Sequence, residues 1–411
     1  MITVGYGVIS LSPGYMDESS KVKTYVKKGV NILKDFRLPI IAGSLLVLIL
    51  SGCFLPGMPL AMKTEQITSS SEYVRLLPGE LFIKEHLTND DLTLKTNLKP
   101  PTSNDPDVAK GTETLSESLG LWMLYAVEKG DQALFAESVA VMKAYDYQDG
   151  WIAWKAGGGN DTPVTTNALV DDLRIAEALY LAGEKWGDET YIELANEIGQ
   201  SIRENQSREG LLVDFYDRHY KVASDYLTLS YLNVAAVRLM EKHQQASEEL
   251  NNQVHSFLDK LPTKNGFFPF SYQLGSKEYV YHQEVNLIDQ LYIGYHRAQV
   301  GMSSPELWAF LKEEFARNGL LYGRYDASTK QPLVPYESPA VYSLAILTAS
   351  ELKEYDFARD LYERMVRQQI RRPESEFYGG YMDMSQLDTH SFDNLLPLLA
   401  ERRLFNEGTL Q

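Results

Sequence analysis

Two successive helices are predicted by the stretch Ala168-Leu-Val-Asp-Asp-Leu-Arg-Ile-Ala-Glu-Ala-Leu-Tyr-Leu-Ala-Gly-Glu-Lys-Trp186 and by residues 188–205, which follow it. The short turn Lys185-Trp-Gly-Asp188 joins them. Glycine directly after a helical pattern, with Asp opening the next one, is typical of a helix end followed by a helix start. The stretch therefore predicts one pair of helices, and the same pairing recurs along the chain.

Twelve helices are predicted from residue 80 onward. They cover residues 80–89, 117–129, 131–145, 168–186, 188–205, 225–241, 245–260, 285–299, 304–318, 337–352, 354–370 and 389–402. Short turns alternate with long connections, and the helices that follow long connections begin at intervals of 51 to 60 residues. Repeats of this kind form solenoids or closed toroids. Six pairs with all the long loops at one end predict an all-α fold, an (α/α)6 barrel.

Some of the long connections are predicted to contain short β-hairpins. Leu211–Tyr216 with Lys221–Ala223, and Gly266–Tyr272 with Lys277–Tyr281, carry aromatic and β-branched residues around turn residues. Such segments are typical of paired strands.

The composition is that of a folded globular protein. The chain has 411 residues, 44% of them hydrophobic and 23% charged, which excludes a disordered or collagen-like chain. Its formal charge of −17 argues against nucleic acid or anionic lipid as the main partner. Cys53 is the only thiol, so neither an intrachain disulfide nor a Cys-based zinc site is possible. No metal or organic cofactor is implied.

An export signal is predicted near the N-terminus. Arg37 precedes the uncharged run Leu38–Leu50, and the small residues Ser51 and Gly52 lead to Cys53, a pattern typical of a signal peptide. Leu50-Ser-Gly-Cys53 resembles a bacterial lipobox, in which Cys53 would be lipidated. An uncleaved membrane anchor is the alternative, because apolar residues continue through Phe54–Met62 and reach spanning length.

These features divide the chain into four segments: a cytoplasmic extension (1–37), the lipoprotein signal or anchor (38–53), a tether (54–79) and the helical domain (80–411). With either kind of attachment, we expect the domain on the outer face of the cell membrane.

Acidic residues recur near the predicted N-termini of the inner helices. They are Glu117, Asp171, Asp172, Asp225, Glu284, Asp289, Glu337, Asp388 and Asp393. A single acid at such a position commonly caps the helix. In a toroid, however, these helix ends converge, so the set is expected to surround one cleft. The same loops carry aromatic residues such as Trp151 and Trp154, whose rings can stack on sugars, and opposed carboxylates suit hydrolysis of glycosidic bonds.

Five motifs resemble those of glycoside hydrolase family 8. Ser116-Glu-Ser-Leu-Gly-Leu-Trp-Met123 is similar to the family segment Ser-Glu-Gly-Gln-x-Tyr-Gly-Met, and Gly150-Trp-Ile-Ala-Trp154 to Gly-Leu-Leu-Ala-Trp. Ala168–Trp186 resembles the signature Ala-Ser/Thr-Asp-Ala/Gly-Asp-x-x-Ile-Ala. Leu229-Ser-Tyr-Leu232 and Gly266-Phe-Phe-Pro269 are similar to Pro-Ser-Tyr-Leu and Gly-x-x-Pro. The resemblance implies an (α/α)6 barrel, and a membrane-attached branch similar to proteins that accompany exopolysaccharide synthesis in Gram-positive bacteria.

The resemblance also implies catalytic roles. Glu117 matches the general acid of the family. The general base falls, in chain order, at Leu287-Ile-Asp-Gln-Leu-Tyr292, so Asp289 is the first choice and Glu284 the second. The first Asp of the signature, which binds and distorts the sugar, falls on Val170. Further sugar contacts are expected from Asp171, Asp172, Trp122, Trp151, Trp154, Tyr231, Glu284 and Tyr292.

The sequence thus predicts an exported, inverting, endo-acting glycoside hydrolase that cleaves a β-linked polysaccharide, with exopolysaccharide as an expected substrate and its synthesis machinery as an expected partner. Inversion requires the two catalytic carboxyls to lie ~6.5–9.5 Å apart, with room for a water molecule. The alternative is a pseudoenzyme that binds exopolysaccharide during its synthesis or export, an interpretation that Val170 and the uncertain base favour.

Overall fold

A computed structural model of the protein describes residues 76–99, 109, 111–144, 147–156 and 164–410. The predicted extension, the signal or anchor with Cys53, and the tether up to residue 75 lie outside the described residues. Among the helices that are described, none has both the length and the apolar character needed to cross a membrane.

The described part of the chain contains twelve α-helices. In chain order they are α1 (Pro78–Phe82), α2 (Ser116–Lys129), α3 (Gln132–Ala144), α4 (Leu169–Trp186), α5 (Glu189–Asn205), α6 (Val234–Lys242), α7 (Glu248–Asp259), α8 (Leu287–Gln299), α9 (Pro305–Asn318), α10 (Pro339–Glu351), α11 (Tyr355–Met365) and α12 (Phe392–Asn406). A π-helical turn, Ile83–Leu87, continues α1.

The even-numbered helices form a closed inner ring. Each packs against the next, from α2 through α4, α6, α8 and α10 to α12, and α12 packs back against α2. The odd-numbered helices lie outside this ring, each against an inner helix adjacent in the chain, and α1 packs on α12 to complete the sixth pair. The predicted (α/α)6 barrel is confirmed.

Burial patterns explain which helices lie inside. In α10 every residue from Ala340 to Ser350 is buried, as expected for a helix covered on all sides. In the outer helix α11 only Ala358, Leu361 and Met365 are buried, a spacing of three and four residues that forms a single apolar stripe.

Short strands lie in the long connections. They are β1 (Thr114–Leu115), β2 (Tyr147–Gln148), β3 (Trp151–Ile152), β4 (Lys155–Ala156), β5 (Ser207–Arg208), β6 (Leu211–Leu212), β7 (Tyr216–Asp217), β8 (Val222–Ala223), β9 (Tyr226–Thr228), β10 (Ser271–Gln273), β11 (Glu278–Val280), β12 (Glu284–Asn286) and β13 (Arg324–Asp326). The predicted 266–281 hairpin forms, with β10 antiparallel to β11. In the other predicted hairpin β7 pairs with β8, whereas β6 pairs back onto β5.

The helix predicted over 225–241 begins nine residues later, at Val234. Tyr226–Thr228 form β9, whose backbone pairs with β10, and Leu229–Tyr231 form a 3-10 turn. The Asn233 side chain accepts a hydrogen bond from the Ala236 amide and caps α6. A strand partner distant in sequence therefore overrides the helical pattern of this segment.

Candidate active site

The N-terminal ends of the inner helices bring acidic side chains together at the end of the barrel that carries the long connections. Burial raises the pKa of Tyr231, and the charges of Asp214, Asp171, Asp289 and Glu117 raise it further. The phenol thus lies within electrostatic reach of all four carboxyl groups. We call Glu117, Asp171, Asp214 and Asp289 the carboxylate cluster.

Glu117 lies in the first turn of α2, in surroundings that favour its protonated form. Its pKa is raised to about 8, mainly by burial. The charges of Asp171 and Asp393 also raise this pKa, whereas the charge of Arg174 lowers it. The side chain is partly open to solvent at the cleft although protein surrounds it. Because its pKa lies above neutrality, Glu117 can carry a proton at pH 7.

Asp171 is held by groups from two inner helices. Its Oδ2 accepts a hydrogen bond from Ser116 Oγ at 2.6 Å, and its Oδ1 accepts one from Arg174 at 2.8 Å. The same guanidinium donates to the Tyr292 hydroxyl at 3.3 Å. Burial raises the pKa of Asp171, against the opposing effect of Arg174. These bonds fix Asp171 beside Glu117.

The neighbouring Asp172 faces a different network. Its Oδ2 accepts a hydrogen bond from Asn167 at 2.5 Å, and Asn167 also donates to Gln206 at 2.8 Å. Its Oδ1 is buried and, among the residues that the structure describes, has no hydrogen-bond partner. Burial, together with the charge of Asp171, raises the pKa of Asp172 well above its usual value.

Asp289 lies in the first turn of α8, where Asn286 caps the helix. Ser230 Oγ donates to its Oδ1 at 3.0 Å. Burial raises its pKa to about 6, although the Ser230 bond and the charge of Arg324 lower it. Asp289 is therefore mostly ionised at neutral pH and can accept a proton.

Glu284, by contrast, is exposed on β12. Its carboxylate pairs with the Arg324 guanidinium, and the structure does not bring it into the carboxylate cluster.

The aromatic residues named from sequence occupy different environments. Trp122 is 6% exposed and packs in the core, stacked on Tyr125 at 5.3 Å. Trp151 is buried, with the Arg218 guanidinium 3.9 Å from its ring centre. Trp154 is half-buried, and its carbonyl accepts a hydrogen bond from the Ser116 amide where α2 begins.

The loop of Trp151 depends on Gly150. That residue has a φ of 79°, a left-handed conformation that favours glycine. A Cβ there would lie 2.0 Å from the Glu197 carbonyl oxygen. A side chain at this position would therefore displace the loop that carries Trp151 and Trp154.

Sequence reasoning missed two members of this site, Arg174 and Asp214. The spacing Asp171-x-x-Arg174 places both side chains on one helix face and could have indicated the ion pair. Asp214 accepts two bonds from Thr228, each 2.6 Å long, and burial raises its pKa to about 7. Asp225, which was expected near the cleft, is exposed. Within the described ranges, no group of three His, Cys, Asp or Glu side chains is arranged to hold a metal ion.

Comparisons with known proteins agree with this architecture. The model of glycosyl hydrolases family 8 matches residues 80–271. The Bacillus subtilis (strain 168) protein called "Putative lipoprotein YdaJ" is 40% identical over 338 residues, which cover 82% of this chain and 89% of that protein.

Solved structures extend the likeness to most of the chain. A novel alpha-amylase from Clostridium perfringens has a TM-score of 0.73 at 25% identity, covering 79% of this chain and 96% of its own. PssZ from Listeria monocytogenes has a TM-score of 0.63 at 27% identity, covering 80% and 96%. The endo-beta-1,4-glucanase CMCax from Acetobacter xylinum, 18% identical with a TM-score of 0.56 over 80% and 98%, shares the fold. The chain belongs to glycosyl hydrolases family 8 and is a glycan-acting hydrolase built on an (α/α)6 barrel.

Proposed function

We propose that this glycoside hydrolase acts with inversion, with Glu117 as general acid and Asp289 as general base. One observation carries the proposal: Glu117 and Asp289 lie in the first turns of two inner helices, around the same Tyr231 phenol. Burial raises the pKa of Glu117 to about 8 and that of Asp289 to about 6. Between these values the first group holds a proton and the second does not. Such a separation is what acid and base roles at one site require.

The reaction then needs one proton transfer at each side of the sugar. Glu117 donates its proton to the glycosidic oxygen as the bond from that oxygen to the anomeric carbon breaks. A water molecule attacks the anomeric carbon from the opposite face and gives its proton to Asp289. The carboxylate left on Glu117 is stabilised by the charge of Arg174, which acts on it in the resting site.

Asp171 is proposed to keep Glu117 protonated and to contact the sugar at the cleavage point. The family resemblance expects an Asp at position 170, where this chain has Val. Asp171 is the next residue. Its fixed position beside Glu117 supports this role. Asp172, with one buried oxygen that has no partner among the described residues, is proposed as a second sugar contact.

The proposed substrate is a β-linked polysaccharide, cut internally outside the cell. The name of the Bacillus subtilis relative and the predicted lipobox support attachment through a lipid on Cys53. An α-glucan is the second candidate, since the alpha-amylase from Clostridium perfringens is 25% identical with a TM-score of 0.73. Exopolysaccharide and its synthesis machinery remain the proposed biological setting.

The test measures reducing ends released by the full chain in mild detergent. Substrates are mixed-linkage β-glucan, xylan, chitosan and amylose, and NMR reads the anomer of the first product. We expect release from a β-glycan with an α-configured product, lost in Glu117→Gln and kept in Glu284→Gln, the exposed control. Release from amylose alone would favour the α-glucan. Polysaccharide binding without release, unchanged in Glu117→Gln, would overturn the proposal in favour of the pseudoenzyme.

A further inference from the structure

A second groove lies on the outer layer of the barrel, apart from the carboxylate cluster. It is open to solvent, has a volume of about 760 Å³ and is formed by α7, by the turn Glu209–Gly210 with β6, and by Tyr279 of β11. A volume in this range accommodates a ligand of several rings. The described residues that line it do not include any member of the carboxylate cluster.

Aromatic rings form one wall of this outer groove. Phe257 of α7 and Tyr279 stack with ring centres 6.0 Å apart and planes inclined by 26°. Tyr272 of β10 supports both from behind, 5.1 Å from Phe257 and 5.0 Å from Tyr279. Phe257 and Tyr279 are half-buried, so part of each ring remains open. Rings of this kind pack against the C–H faces of pyranoses while a phenol hydroxyl stays in water.

Amide and hydroxyl groups form the other wall. Asn252, Gln253 and Ser256 of α7 all line the groove. Gln253 Nε2 donates to Glu249 Oε1 at 3.1 Å, which orients its amide. Gly210, with a φ of 78°, lets the β5–β6 turn approach closely, because a Cβ there would lie 1.8 Å from Gln253 Oε1. The groove thus offers donors and acceptors next to an aromatic surface, the combination that sugar hydroxyls require.

The charge of the groove limits the ligand. Its lining includes Glu209, Glu248 and Glu249 but, among the described residues, only Lys260 as a cation. An anionic polymer would meet net repulsion there, whereas an uncharged glycan would not.

We propose that the outer groove binds a segment of an uncharged polysaccharide, several pyranose units long. Two of the segments that line it lead to residues of the catalytic end. β6 ends at Leu212, two residues before Asp214, and β11 pairs through β10 with β9, which leads to Ser230 and Tyr231. The groove is therefore built on the same loop segments that carry residues of the cleft. This inference rests on the proposed function in one respect: the ligand is taken to be a polysaccharide because the enzyme is proposed to act on one.

The experiment measures retardation of the full chain in neutral-detergent native gels that contain hydroxyethylcellulose, soluble starch or the anionic carboxymethylcellulose. All variants carry Glu117→Gln so that the polymer survives. We expect at least threefold weaker retardation by an uncharged polymer in Tyr279→Ala and in the exposed pair Asn252→Ala with Gln253→Ala. Tyr279→Phe is expected to keep most of the retardation, because it keeps the ring. Tyr355→Ala, which removes an exposed aromatic residue on α11, is the matched control.

Three outcomes separate the two proposals. Retardation that is equal in the parent and both groove variants, or absent with every uncharged polymer, overturns the groove. Stronger retardation by carboxymethylcellulose than by hydroxyethylcellulose also overturns it. Retardation that depends on Tyr279, in a chain whose wild type releases no reducing ends from any substrate, supports the groove and overturns the hydrolytic proposal.

Discussion

Glu80 is fully buried and Glu117 is half-buried, and their surroundings shift the pKa of the two carboxyl groups in opposite directions. Glu80 accepts hydrogen bonds from Lys129 at 2.8 Å and Tyr125 at 2.7 Å, and pairs with Lys84 at 2.7 Å. Burial raises its pKa, but the bonds from these groups outweigh that effect and lower the pKa overall. Glu117, near the single guanidinium of Arg174, has its pKa raised to about 8.

The two ends of the barrel differ in the same way: acids at one end are paired with cations, and acids at the other end have raised pKa values. At the end with the short turns, Arg403 of α12 pairs with Glu128 of α2 at 2.7 Å and with Glu351 of α10 at 2.9 Å. These ion pairs tie the C-terminal ends of three inner helices together. At the other end lie the four acids of the carboxylate cluster, two of them buried and two half-buried, with few cations beside them among the described residues. The cleft thus keeps carboxyl groups in an environment that disfavours their ionised form, a feature more useful for proton transfer than for stability.

The largest expected effect is that of Asp289→Asn. If Asp289 is the base, its loss removes activation of the attacking water and should lower kcat by a factor of about 10² to 10⁴. The measurement is the initial rate of reducing-end release, with the melting temperature to confirm folding. Sodium azide, which needs no deprotonation, is expected to restore cleavage and give a glycosyl azide of inverted configuration.

Glu284→Gln is the matched control for that experiment, because Glu284 is exposed and paired with Arg324. Its rate is expected to stay within about twofold of wild type. A hundredfold loss of rate in Glu284→Gln, with Asp289→Asn still active, would make Glu284 the general base in place of Asp289.

Glu80→Gln tests how much the ion-paired carboxylate of Glu80 contributes to stability. It removes the buried carboxylate that accepts hydrogen bonds from Lys129 and Tyr125 and leaves Lys129, among the described residues, only the partly exposed Asp131, at 2.9 Å. We expect the free energy of unfolding at pH 7 to fall by about 2 kcal/mol. Because the folded-state pKa of Glu80 lies below its ordinary value of 4.5, its stabilisation is present above pH 4.5 and is lost as the pH falls below that. Urea unfolding at pH 7 and at pH 3.5 measures this; the difference from wild type should shrink at the lower pH.

Glu117→Gln should behave differently in the same unfolding experiment. The amide resembles the protonated carboxyl that the site already favours. Because the folded-state pKa of Glu117 is about 8, the wild-type carboxyl loses its proton on unfolding at pH 7, which stabilises the unfolded state, and the amide does not. The free energy of unfolding at pH 7 should therefore rise in this variant rather than fall. A loss as large as that of Glu80→Gln would show that Glu117 is a structural ion rather than a protonated acid.

A smaller, graded effect is expected from pH. Activity requires Asp289 ionised and Glu117 protonated, so kcat/KM should rise up to a pH of about 6 and fall above about 8, following their pKa values. Rates measured from pH 4.5 to 9.5 at constant ionic strength test this. A rate that keeps rising above pH 9 would exclude Glu117 as the acid.

The sequence predicted the barrel well because helix pairing is a local property. Turns such as Lys185–Asp188 and apolar stripes such as Leu250, Val254 and Leu258 can be recognised in a single stretch of chain. The start of the helix predicted over 225–241 was wrong, since the partner that makes residues 226–228 a strand lies at 271–273, whereas its second half, from Val234, is helical. Depth and orientation also depend on distant packing, which is why Trp122 in the core and Asp214 in the cluster could not be inferred locally.

The smallest expected effect is that of Asp393→Asn, which tests whether Asp393 acts on Glu117 through its charge. Asp393 Oδ1 accepts hydrogen bonds from Ser338 Oγ at 3.0 Å and from the Ala340 amide, while its Oδ2 is buried with no partner among the described residues. Burial raises its pKa to about 6, so above that pH its charge opposes ionisation of Glu117. Asp393→Asn removes this charge with little change of shape. The alkaline limb of the kcat/KM profile should then move down by less than about one pH unit, while the acidic limb set by Asp289 stays in place. Because a structural role alone would scale the whole profile without shifting one limb, an unshifted alkaline limb would show that Asp393 does not act on the acid.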